Sequence, residues 1–324
     1  MKKILTGFLI LLLSSGFIFA GGRKDSFSFE NIEEKYPSDK FVWAMGQGSS
    51  LSNAESSAKM GLCQILGESI SGQQNASQYS DSNGQSDSSL SVNVKEAVLF
   101  EHISGIQIKE TWQIEKNKSD WRALAVLDRK EAGNYYARLA KEKDDKIRNL
   151  LMEAEFKDIS FEALDLVNEA AHAARDNQYN LDLLHAINPA MYKSTYMSYG
   201  SLSAVELKKK KLASSISVSV SVANDYNGVV AGAIMNKLGD SGIAAVVKGE
   251  TLFQIQGKII IEDAGKLDGN NWFSRYTLEA PVVNTKSGKI EKSFSISGRE
   301  GRQSQELARQ RCYNKICQRI QEEF

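Results

Sequence analysis

Ile216, Val218, Val220 and Val222 alternate without a break with Ser217, Ser219 and Ser221. A period of two puts the apolar side chains on one face and the serines on the other, so this segment reads as a strand in a sheet that is covered on one side only. Such a sheet needs an apolar layer against its valine face. The same third of the chain supplies one. Residues 229–238 read as a helix closed by Gly239 and Gly242, and Ala308, Cys312, Ile316, Ile320 and Phe324 mark one face of a closing helix. Strand patterns at 244–247, 253–262, 272–283 and 290–297, with a turn at Lys286-Ser287-Gly288-Lys289, complete the order β-α-β-β-β-β-α.

The first third has a related but separate layout. Phe41, Val42, Trp43, Ala44 and Met45 read as a strand running into Gly46-Gln47-Gly48. A helix is expected next, capped by Ser52 with Glu55 three residues on. Its apolar face would be Ala54, Ala58, Leu62, Ile65, Leu66 and Ile70. Residues 71–89, rich in Ser, Gln, Asn, Asp and Gly, suggest a mobile loop or a frayed pair of strand ends. Three strands should follow, at 92–100, 106–114 and 121–127, the last apolar enough to be central.

Between the two β-rich regions, from Lys130 to about Leu212, the period is helical. One long helix carries Tyr135, Leu139, Ile147, Leu150, Leu151 and Ala154. A second is expected at 161–174, a third at 181–187 ending near Asn188-Pro189, and a short one from Ser203 to Leu212. The four lysines Lys208 to Lys211 read as a solvated helix end rather than a lipid-binding patch.

The N-terminus carries Lys2 and Lys3, then an apolar stretch from Ile4 to Leu13, and small residues at Ala20-Gly21-Gly22. That is the layout of a secretory signal, with Ile18 at −3 for cleavage after Ala20. An uncleaved anchor helix is the competing reading. No cysteine lies near the cleavage point, so an N-terminal lipid is not expected. Cleavage would leave 38 basic against 40 acidic residues, close to balance and without an electrostatic reason to bind nucleic acid.

Residues able to carry chemistry are sparse. Gly46-Gln47-Gly48 lacks the third glycine of a dinucleotide fingerprint, since Leu51 stands there, and reads as a tight turn that lets a helix pack on its strand. His102, His172 and His185 have no second ligand at metal spacing. Asp128-Arg129, after the central strand, reads as a local pair or a cap of the next helix rather than an acid. Cys63, Cys312 and Cys317 are odd in number, and they read as small core residues rather than a disulfide or zinc set. Asn75-Ala76-Ser77 fits a glycosylation acceptor by chance. No catalytic, cofactor-binding or metal residue is assigned, and no cofactor is expected.

Residues 41–70, with Ile106 to Trp112 and the Ala123-Leu124-Ala125-Val126-Leu127-Asp128-Arg129 sequence, resemble the LPP-twenty lipoprotein family, which includes the N-terminal domain of the flagellar assembly protein T type. The last third is similar, more weakly, to the α+β module of the TolB N-terminal domain and the curli-secretion lipoproteins. The resemblance implies an envelope location and no established enzymatic activity, and because this chain lacks the lipidated cysteine the family's outer-membrane anchoring does not carry over.

The expected fold is therefore α+β: two α/β-sandwich domains separated by a helical segment, after a signal peptide. Expected bounds are 1–20 for the signal, 21–35 for a linker, 36–135 for the first domain, 136–212 for the helical connector and 213–324 for the last domain. The expected role is non-enzymatic binding or scaffolding in envelope or flagellar assembly, in the periplasm or at the outer membrane. Partners would be other envelope proteins, with peripheral contact to a membrane surface. The alternative is an envelope hydrolase with a site between the domains.

Overall fold

The computed structural model of the protein describes residues 29–80, 103–114, 120–266, 269 and 271–323. The expected signal segment, the expected strand at 92–100 and His102 lie outside them. The fold is α+β. The described residues form two compact units, 29–62 with Ile106–Asp128, and 63–80, 103–105 and 129–323.

In the first unit, β1 (Phe41–Gly48), β2 (Gln107–Gln113) and β3 (Trp121–Asp128) make an antiparallel sheet in the order β1-β3-β2. β3 is central, as its continuous apolar run required, and Ala123 to Leu127 are buried on both faces. On one face Trp43 and Met45 stand beside Leu124 and Val126 and pack with Ile32 and Tyr36. Ile32 belongs to a helix, α1 (Phe29–Lys35), at a place where the sequence suggested linker. Its polar turn outweighs a single anchoring isoleucine in any pattern count, yet burying that isoleucine contributes about 2 kcal/mol.

The opposite face meets α2 (Leu51–Ser80). Gly46 and Gly48 are residues of β1 rather than of a turn, and neither has a positive φ. A Cβ on Gly46 would stand 2.1 Å from the Ala58 nitrogen and 2.3 Å from the Ala54 carbonyl oxygen. The glycines thus serve close approach of helix backbone to strand, not chain reversal. Ser50, not Ser52, receives the first helical bonds, accepting from Asn53 N at its Oγ and from Ala54 N at its carbonyl. Ile65, expected on the buried face, is 46% exposed. α2 also continues through Ser80, ten residues into the expected loop at 71–89; polarity and a single glycine do not stop a helix that meets no proline.

In the second unit, α3 (Arg129–Glu155) and α4 (Phe161–Ile187) lie side by side and are followed by α5 (Pro189–Ser194) and α6 (Leu202–Ser215). Two expected helices merge in α4. The polar interval at 175–180 does not break it, because Asn177 is fully buried and its Nδ2 donates to the Ala140 carbonyl at 3.1 Å. A buried amide with a partner is compatible with a helix interior, which apolar periodicity alone cannot register.

The valine-serine segment becomes β4 (Ser217–Ala223). With β5 (Ala244–Val246), β6 (Phe253–Lys266), β7 (Trp272–Asn284) and β8 (Ile290–Arg302) it forms a sheet in the order β5-β4-β6-β7-β8. β4 runs parallel to β5 and β6, and the other pairs are antiparallel. α7 (Val229–Asp240) and α8 (Gln305–Glu323) cover one face, through Val230, Ile234 and Leu238 and through Cys312, Ile316 and Ile320. β8 was expected to stop at 297; it continues to Arg302 because its partner β7 extends back to Trp272.

The helical segment is tied into this core. Phe161 and Leu164 of α4 belong to the same buried cluster as the sheet, with the Phe161 ring 5.1 Å from that of Phe253. Whether residues 213–324, the expected bounds of the last domain, fold by themselves is testable by calorimetry against a fragment of 129–324. The longer fragment is expected to be more stable by roughly 3 kcal/mol, the cost of losing one buried phenylalanine. A short fragment that shows no cooperative transition would mean that helices and sheet share one obligatory core.

Candidate functional site

The open face of the five-stranded sheet is where polar groups converge. Because side chains alternate across a strand, each valine that β4 buries leaves a serine on the opposite face, and the register extends that face in rows. Ser219 stands beside Gln254 and Ser221 beside Gln256. Further along come Lys258 and Glu279, then Ile260, Thr277 and Ser297, then Glu262, Arg275 and Arg299.

Two clefts open on this face. The first, about 500 Å³, has Ser217, Ser219 and Gln254 as its floor and the segments Gly249–Leu252 and Thr285-Lys286 as walls. Those walls are fixed by short bonds: Thr285 Oγ1 donates to the Thr251 carbonyl at 2.6 Å, and Leu252 N donates to Ser217 Oγ at 3.1 Å. The second, about 400 Å³, is lined by Arg275, Tyr276, Thr277, Ser297, Gly298 and Arg299. Arg275 and Arg299 are direct cross-strand partners, and the Arg299 guanidinium lies over the Phe273 ring at 5.2 Å. A third cleft, about 470 Å³, lies on the surface of α3 and α4 among Glu142, Lys143, Lys146, Asp176 and Asn180. Its charges are partly spent on each other, as in the pair of Lys143 with Asp176 at 3.5 Å.

A polar cluster also fastens α8 to the sheet. Gln305 Nε2 donates to Ser274 Oγ and to Asp263 Oδ1, both at 2.7 Å, and Arg309 Nε donates to Asp263 Oδ1 at 2.8 Å. The Arg309 guanidinium holds the Asp263 carboxyl below its usual range. Serine, carboxylate and cation do meet here, but Ser274 is fully buried and its hydroxyl is taken by Gln305, so the cluster is a fastening rather than a nucleophile.

The residues singled out in the sequence are dispersed. Arg129 NH1 donates to the carbonyl oxygens of Ala186 and Ile187, at 3.4 and 2.7 Å, and so caps the C-terminus of α4. His172 is exposed, 3.9 Å from Asp176, and His185 stacks on Tyr192 at 4.4 Å. Among the described residues no group of three His, Cys, Asp or Glu could hold a metal ion. All three cysteines are free thiols. Burial pushes them up, Cys312 to about 11, which keeps it protonated near neutrality. Lys208 pairs with Glu155 at 2.7 Å. The side chain of Asn75 lies outside the described residues. Sequence reasoning missed Arg275 and Arg299; their only signal was a pair of arginines at nearly equal distances on either side of the turn at 286–289.

No family model matches the chain, and no curated protein does. Among solved structures it is similar to a secreted protein of Helicobacter pylori, at 10% identity and a TM-score of 0.44, over 87% of this chain and 96% of that one. It is also similar to a protein described as a lipoprotein from Caulobacter crescentus, at 12% identity and a TM-score of 0.26, covering 35% of this chain and 90% of that one. A minor lipoprotein of Acinetobacter baumannii aligns at 12% identity and a TM-score of 0.28, over 33% and 88% of the two chains. Among the described residues no helix is long and apolar enough to cross a membrane.

Proposed function

We propose that this chain is an exported, non-enzymatic protein of the cell envelope that binds or scaffolds other envelope components, with the open sheet face of its second unit as a binding surface. The observation that carries the reading is the N-terminal order of Lys2-Lys3, an apolar run from Ile4 to Leu13, and Ala20-Gly21-Gly22. The likeness of residues 41–70 and 123–129 to the LPP-twenty pattern supports it. So does a sheet face whose rows are serine, glutamine, threonine and charged groups, covered by no helix among the described residues. Partners in outer-membrane or flagellar assembly are the finer form of the same proposal.

N-terminal sequencing of the protein isolated from its native envelope tests export. A mature chain beginning at Gly21 is the expected result, and a chain still beginning at Met1 would sink the cleaved form. Crosslinking in intact cells, with identification of what is captured, then tests the scaffolding role.

A further inference from the structure

We propose that Arg275 and Arg299, with the hydroxyls of Thr277 and Ser297, form an anion site that takes a phosphate group. The argument begins with an anomaly in the sheet. Directly opposed side chains on neighbouring strands interact, and like charges there are destabilising. On this face Lys258 opposes Glu279, and Glu262 opposes Arg275, signs matched in both cases. Arg275 against Arg299 is the one like-charged cross-strand pair among the described residues.

Glu262, opposite Arg275, is the one acidic neighbour in this row, so the row keeps a net positive charge. Arg309 and Arg311, on the adjoining helix, are paired with Asp263 and Glu300. No carboxylate among the described residues lies within ion-pair distance of Arg275 or Arg299. Stacking on Phe273 steadies the Arg299 guanidinium without cancelling its charge.

The surroundings then select the anion. The cleft of about 400 Å³ lies against both arginines and is lined in the next row by Thr277 and Ser297, themselves cross-strand partners. Two guanidinium forks, with Glu262 beside one of them, match several acceptor oxygens and a net negative charge. A phosphate ester supplies both, whereas the oxygens of a single carboxylate would be used up by one fork. The hydroxyls can each donate one further bond. Because the site is exposed, its affinity should fall as salt rises.

This inference goes beyond the export reading and does not depend on it, since N-terminal processing is measured at the other end of the chain. The test uses the full chain at low ionic strength with two probes, inorganic phosphate by calorimetric titration and phosphatidylglycerol vesicles by flotation, with phosphatidylcholine vesicles as the uncharged reference. Arg275→Gln and Arg299→Gln are each expected to weaken binding roughly tenfold, and the double variant to abolish it. Arg275→Lys and Arg299→Lys keep the charge without the fork and should fall between. Thermal melts of all variants confirm that they are folded. Arginine-dependent binding of phosphate alone identifies a soluble phosphate ester as the source, and arginine-dependent binding of vesicles identifies a lipid headgroup. Binding by neither probe, or binding that persists in the double variant, overturns the proposal.

Discussion

Gly46→Val is expected to lower the stability of the first unit by about 3 kcal/mol or more, at the upper end of what overpacking costs. The reason is what stands in the way. A Cβ at this position would meet the backbone of Ala54 and Ala58, at 2.3 and 2.1 Å, rather than the end of a flexible side chain. Relief requires moving α2 off the sheet, which opens gaps around Ala44, Ala123 and Ala125, whose small size fits the same close approach. The transition midpoint should fall by roughly 10 °C, given about 2–4 °C per kcal/mol for a chain of this size. Gly232→Ala is the informative contrast. Gly232 lies inside α7, where an added Cβ would meet nothing within 4 Å. Helix propensity should then raise stability by about 1 kcal/mol. Equal effects at the two glycines would refute the close-approach account.

Asp144→Ala is the second large effect, expected to cost about 3 kcal/mol at neutral pH, as for buried hydrogen bonds to a charged group. The Asp144 side chain is 1% exposed within α3, and its Oδ1 accepts from Ser198 N at 2.7 Å, Ser198 Oγ at 2.8 Å and Tyr199 N at 3.3 Å. Lys141 Nζ reaches Oδ2 at 3.1 Å; it is half exposed, so its share is small. These bonds hold the segment between α5 and α6 onto the helical core, next to the Asn177 amide. Burial by itself raises the carboxyl's pKa, but the donors from Ser198, Lys141 and Tyr199 outweigh it and the net shift is downward. A group with a depressed folded pKa contributes stability that is fully present above its unfolded value, near 4, and lost as pH falls through the folded one. The stability gap between wild type and Asp144→Asn, followed by denaturant titration, should therefore be flat from neutrality to about pH 5 and shrink below about pH 4. A gap that stays constant down to low pH would show that the carboxylate's charge plays no part.

Neither residue could have been ranked from the sequence. Gly46 was legible as a glycine that mattered, but its role as a strand residue rather than a turn residue depends on where β1 pairs with β3. Asp144 sits in a charged run, Lys141 to Lys146, that any pattern reading assigns to solvent. Its burial is decided by Ser198 and Tyr199, more than fifty residues away in sequence and adjacent only in the folded unit. The same holds for the polar interval around Asn177, which sequence reasoning treated as a gap between two helices.

What the sequence determined by itself was periodicity, and with it the type and order of most elements. The alternation from Ile216 to Val222 required a one-sided sheet, the apolar run at 121–127 required a central strand, and Ala308, Cys312, Ile316 and Ile320 required a helix lying on the covered face; each of these is local, set by side-chain spacing along one element. Tertiary structure decided the register, and with it the candidate site. Arg275 and Arg299 fall opposite each other only because the ladder shifts by one residue at Glu291, between the pairs Val283–Ile290 and Val282–Lys292. Glu291 itself is held by Asn284 Nδ2 at 2.9 Å and by the backbone N–H of Phe161, the first residue of α4, at 3.4 Å. A slip of one residue would send Arg299 to the other face of the sheet. No apolar or polar period within β7 or β8 announces that choice; the extra residue is held by Asn284 across the hairpin and by a helix 130 residues away in sequence.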